Sequence, residues 1–194
     1  MTKAEVQSNI RYNENLVSQY QSTISKYKSQ ISTLESQIRK LESEIGQINS
    51  QTNDLNSQIN ELNRLKSKYQ NLQNSFANRQ SKRVSSFNKN FNKKFDANFI
   101  KSYISGMSSL LSGSEYKNAY NGITSAINAI TKKINSLQKE VNTANNNKTS
   151  KQKTINSKRS EISSYQSKIS STNSDLNYRK QRITYWKKQL QYAT

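Results

Sequence analysis

The chain has 194 residues and a formal charge of +19, from 31 basic and 12 acidic side chains, with no His, no Cys and no Pro. Without imidazole or thiol there is no general base of the commonest kind, no nitrogen/sulfur zinc site, no thiol nucleophile and no disulfide, so the composition argues against an enzyme and against any cofactor or metal. Ser, Asn and Gln number 32, 26 and 17 while hydrophobic residues reach only 31%, which excludes a wide globular core and leaves either disorder or a narrow apolar seam.

Periodicity decides for the seam. Val6, Ile10, Val17, Tyr20, Ile24, Tyr27, Ile31, Leu34, Ile38, Leu41, Ile45, Ile48, Leu55, Ile59 and Leu62 follow one another in alternating steps of three and four, interrupted only by Asn13 and Thr52. A disordered chain has no reason to keep a 3.5-residue period, whereas a supercoiled helix must keep it so that one stripe faces its partner. Beyond Leu62 the apolar residues Leu65, Tyr69, Leu72 and Phe76 begin with a second successive step of three, which predicts a stammer that overwinds the coil.

Residues 77–122 change character. Phe87, Phe91, Phe95, Phe99, Tyr103 and Met107 recur every four residues, a spacing that keeps them on one slowly drifting helical face. This predicts a shorter aromatic-striped helix and turn over 81–112, placed either to cap the coil or to bind a partner. Leu111, Ser112 and Gly113 are the strongest helix breaker in the chain, and Ser114 with Glu115 opens the next helix.

A second ladder runs through Ile123, Ile127, Ile130, Ile134, Leu137, Val141, Ala144, Ile155, Ile162, Tyr165, Ile169, Leu176, Ile183, Trp186 and Leu190. Lys148, Lys151 and Lys158 occupy seam positions near the Asn145-Asn146-Asn147 run, so the helix is expected to loosen there with the lysine stems snorkelling outward. Thr172 and Arg179 are further polar seam positions. The two ladders nearly match in length. The expected fold is therefore all-α, an elongated helical hairpin forming an antiparallel coiled coil of two ~70-residue helices, within one domain: 1–80 first long helix, 81–112 shorter helix and turn, 114–194 second long helix. Parallel homodimerisation through the first ladder is the rival, favoured by β-branched residues at one seam position and Leu or Tyr at the other.

Charge is uneven. Residues 123–194 carry 14 basic and 3 acidic side chains, whereas residues 1–80 carry 10 and 7. The arms cannot be held together by opposite charge alone, and an acidic surface would be attracted, whether a protein, a nucleic acid or another polyanion. The basic residues are spread around the helix and no base-reading motif is present, which disfavours nucleic acid. No apolar run of 18 residues and no hydrophobic leader occurs, so neither a transmembrane segment nor a signal peptide is expected. Phosphate-binding glycine loops, calcium loops and nucleophile elbows are also missing.

The order of a long helix, Leu111-x-Gly113, then Tyr116, Ala119 and Tyr120 opening another long helix, resembles the small α-helical proteins of the WXG and LXG superfamily. Residues 111–141 look like the same region of the helical partner proteins associated with LXG toxins of Gram-positive bacteria. The resemblance implies a non-catalytic partner or targeting chaperone that pairs with the helical N-terminal domain of a toxin and helps present it to a type VII secretion system. It also implies a cytoplasmic protein, with export beside its partner by a leaderless route as a further possibility. The expected partner-binding residues are Phe87, Phe91, Phe95, Phe99, Tyr103, Met107, Leu111, Gly113 and Tyr116. A basic coiled coil that binds nucleic acid or another polyanion is the alternative, and an α-helical pore-forming protein entering a membrane through 99–113 is disfavoured by Lys101 and several Ser in that stretch.

Overall fold

The computed structural model describes residues 1–91 and 98–193. Every element among them is helical: α1 spans Lys3–Phe91, α2 Asn98–Ser112 and α3 Ser114–Leu190. The long helices α1 and α3 pack antiparallel, which makes the fold an all-α helical hairpin. Parallel self-pairing of the first ladder would need the seam that α3 covers.

The helix ends are built from local sequence. At the start of α1, the Thr2 amide donates to the Glu5 carboxylate at 2.8 Å and the Glu5 amide donates to the Thr2 hydroxyl at 3.3 Å. This is a capping box, which satisfies two of the amides that a helix N-terminus leaves without partners. At the other end of the hairpin Gly113 separates α2 from α3, and its carbonyl accepts the Lys117 amide at 3.2 Å. No glycine has positive φ, so this one is required for space. A Cβ here would stand 2.2 Å from the Ser109 carbonyl oxygen.

In these long helices, rich in Ser and Thr, many hydroxyls fold back onto the backbone. Thr23, Thr131, Thr154 and Thr172 each donate to the carbonyl four residues earlier at 2.8–3.1 Å. Such a bond satisfies the hydroxyl inside its own helix, sharing a carbonyl that the ladder already uses.

The chain divides into two compact units. The first comprises Met1–Ile48 and Asn146–Thr194. Val6, Ile10, Ile24, Leu34 and Ile38 of α1 are buried there with Ile155 and Leu176 of α3. Ring contact adds to the seam, with Tyr27 and Tyr165 centred 5.6 Å apart. Two polar seam positions meet: buried Asn13 accepts the Arg179 guanidinium at 3.4 Å and donates its amide to the Asn9 carbonyl at 2.7 Å. The seam lysines do not loosen α3, which continues unbroken. Lys151 donates to Glu44 at 2.5 Å and Lys158 to the Gln37 amide oxygen at 2.7 Å. Acceptors on α1 make the lysines tolerable, and they become identifiable only once the antiparallel register is known.

The second unit comprises Asn49–Asn145. Its core is Ile59 against Ile134 and Leu137, flanked by Leu55, Leu62, Ile130 and Val141. The expected stammer does not occur. Past Leu62 the half-buried positions are Lys66, Tyr69, Gln73 and Phe76, which keep the alternation of four and three, while Leu65 and Leu72 are 41% and 52% exposed. A helix facing one partner holds its period, and of the two polar residues this brings to the seam, Lys66 and Gln73, the second donates to the Thr124 hydroxyl at 2.7 Å. Also, α1 extends to Phe91 and not merely to residue 80, so Phe87 and Phe91 belong to the first long helix and the shorter helix begins at Asn98.

Candidate partner-binding surface

The expected binding residues are divided among three helices and the turn between two of them. Phe87 is half-buried on α1, and Phe91 is the last residue of that helix. Phe95 lies outside the described residues. Phe99, Tyr103, Met107 and Leu111 fall on α2, where Tyr103 is 48% exposed and Met107 half-buried. The side chains of Phe91, Phe99 and Leu111 are outside the described set. Gly113 forms the turn. Tyr116 is engaged within the hairpin: its ring stacks on Phe76 of α1 with centroids 4.9 Å apart and planes 10° from parallel. Tyr120 follows at 6.1 Å. Tyr116 therefore ties α3 to α1.

Electrostatics in the first unit are set by three ion pairs among the described residues, Glu14–Lys187, Glu42–Arg159 and Glu44–Lys151. Each joins an α1 carboxylate to an α3 cation. The hydrogen bond from Lys151 holds the Glu44 carboxyl below its ordinary value, helped by the charges of Lys151 and Lys40 and opposed by partial desolvation. Exposed pairs of this kind stabilise by at most about 1 kcal/mol each. Their larger consequence is an inventory of charge: most of the cations of α3 have no carboxylate opposite them.

That surplus is concentrated where sequence reasoning did not look. Residues 176–194 contain Arg179, Lys180, Arg182, Lys187 and Lys188 and no carboxylate. Among them stand three exposed tyrosines, Tyr178 at 53%, Tyr185 at 45% and Tyr192 at 73%. Arg182 lies 5.0 Å from the Tyr185 ring centre and 5.1 Å from that of Trp186, and Arg179 lies 5.3 Å from Tyr178. Tyr185 and Trp186 meet edge to face at 5.0 Å. The exposed tyrosines recur every seven residues. That period would have revealed them had the outer faces been searched for it as the seam was.

The open cleft beside Ser29, Gln30, Thr33, Leu34, Glu161 and Tyr165 measures about 210 Å³, below the range of small-molecule sites. Among the described residues no group of three or more Asp or Glu side chains is placed to hold a metal ion, and no helix is long and apolar enough to cross a membrane. No family model, no curated protein and no solved structure matches the chain.

Proposed function

We propose that the chain is a non-catalytic helical hairpin that binds an acidic helical protein. The resemblance of residues 111–141 points to the helical N-terminal domain of an LXG-type toxin as that partner, with the chain serving as its partner or targeting chaperone. The observation that carries the reading is the uncompensated charge of α3: 14 basic and 3 acidic residues over 123–194, with three ion pairs to α1. A seam that already satisfies the hairpin internally leaves this charge to act outward, where it steers and orients an acidic surface.

Purified chain mixed with an acidic LXG-toxin N-terminal domain tests this. The expected result is co-migration on size exclusion at 150 mM salt and separation at 1 M salt. Separate migration at low salt, together with a salt-sensitive complex with duplex or single-stranded DNA, would replace this reading with that of a polyanion binder.

A further inference from the structure

We infer that the outer face of α3 over 178–189 is the docking surface for the partner, and that it receives one acidic α-helix laid along it. The inference rests on the proposed function above and adds the place and the geometry.

The spacing carries it. Tyr178, Arg182, Tyr185 and Gln189 are separated by four, three and four residues, the same alternation that builds the seam between α1 and α3, and exposed Tyr192 follows in the turn after Leu190. The seam itself passes through Leu176, Arg179, Ile183, Trp186 and Leu190, so at 100° per residue the tyrosine face lies about a third of a turn around α3 from it. Tyr178 and Tyr185 stand about 10 Å apart along the axis, the rise of one heptad. That interval is the layer spacing of a helix packed on a helix, whose side chains enter between residues every seven positions.

Charge selects the sign of the visitor. Arg182 lies within the tyrosine face and Lys188 at its edge, and neither has a carboxylate partner among the described residues, whereas Lys180 and Lys187 fall on the far side of α3. Two copies of this face would bring Arg182 and Lys188 against the same cations, which argues against self-association through it. Single-stranded nucleic acid stacks successive bases on neighbouring rings, but here rings recur two turns apart. A membrane surface calls for a broad aliphatic face, and between the tyrosines this stripe carries Arg182 and Gln189. Tyrosine rings with guanidinium groups against them suit a protein partner, since they offer large contact area with little side-chain entropy to lose.

The probe is a dye-labelled 21-residue amphipathic peptide with Leu along its seam and Glu beside it, titrated with the full chain. Peptide anisotropy and the fluorescence of Trp186, the single tryptophan, are the readouts. The expected result is saturable binding that changes Trp186 emission, weakens about tenfold or more in the exposed double variant Tyr178→Ser/Tyr185→Ser, and is unchanged in Leu65→Ser/Leu72→Ser. A peptide with Lys in place of Glu should not bind. Far-UV circular dichroism should match wild type in both variants. If the tyrosine variant binds the acidic helix as tightly as wild type, the docking surface is wrong while an acidic helical partner stands. If the acidic helix binds neither protein, and oligo-dT or phosphatidylglycerol vesicles bind in a tyrosine-dependent way, the helical partner is refuted as well.

Discussion

Ile155→Ala is the sharpest probe of what holds the first unit together. Ile155 is 1% exposed and, with Val6, is one of its two largest fully buried side chains. The substitution deletes three carbon atoms, at about 0.8 kcal/mol each in transfer free energy, or about 2.4 kcal/mol before any cavity contribution. Full core positions lose 2–5 kcal/mol on such truncation. A seam between two helices is open at its flanks, so water and neighbouring side chains fill part of the void, and the expected loss is about 2–3 kcal/mol. At this chain length that lowers the thermal midpoint by about 4–12 °C. Tyr12→Ala is the control in the same unit, since Tyr12 is 58% exposed, and should stay within about 0.5 kcal/mol of wild type. Unfolding followed by circular dichroism at 222 nm and by Trp186 fluorescence measures both. Equal midpoints for the two variants would mean that burial along the seam does not stabilise this unit, and the account of the fold would fail with it.

Other outcomes follow from single features. Gly113→Ala should destabilise by about 1–3 kcal/mol, because its Cβ has nowhere to go beside the Ser109 carbonyl. Gly122→Ala, with nothing within 4 Å of the new carbon, should stabilise α3 by up to about 1 kcal/mol; thermal melts of the pair would give opposite signs. Because the folded pKa of Glu44 is lowered, its contribution is fully present above the ordinary carboxylate pKa and is lost as pH falls through the depressed one. The difference in midpoint between wild type and Glu44→Gln should therefore shrink towards pH 2 and be largest near neutrality; a constant difference in melts between pH 2 and 7 contradicts the pairing. Arg179 has a buried Nε without a partner, so Asn13→Ile with Arg179→Leu, which replaces both polar groups by apolar ones, should raise the midpoint. A lowered midpoint in differential scanning calorimetry would show that the pair stabilises on balance.

The second ladder was legible almost residue by residue, because each of its positions from Ile123 to Leu190 needs only the period to be seen. The register between the ladders was not, since aliphatic residues at every third or fourth position fit one another in many alignments. Lys151 and Lys158 illustrate this: read along α3 alone they are misplaced charges, and Glu44 and Gln37 are found only across the hairpin. Leu65 and Leu72 misled for the opposite reason, as hydrophobicity suggested seam positions where helical continuity puts Lys66 and Gln73. The end of α1 was misjudged because the four-residue Phe spacing looks the same whether it opens a new helix or continues an old one. Of the expected binding residues, Tyr103 and Met107 share a face of α2, while Tyr116 turns out to be occupied by Phe76. Tyr178 and Tyr185 stand on α3 away from its seam and Tyr192 in the turn that follows, so the period of the seam alone passes over them.

The Asn13–Arg179 contact has a meaning for how the arms find each other. Sliding one arm past the other by seven residues would cost an all-aliphatic zipper little. In this chain the same slide would bring Arg179 opposite Val6 or Tyr20 and leave its guanidinium stranded against hydrocarbon or ring. The notch works like the tooth of a key, rejecting misaligned closures, and its removal in Asn13→Ile/Arg179→Leu should leave a more heat-resistant chain that refolds in more phases than wild type. Single-phase refolding of that variant, followed by stopped-flow Trp186 fluorescence, would show that alignment is chosen elsewhere.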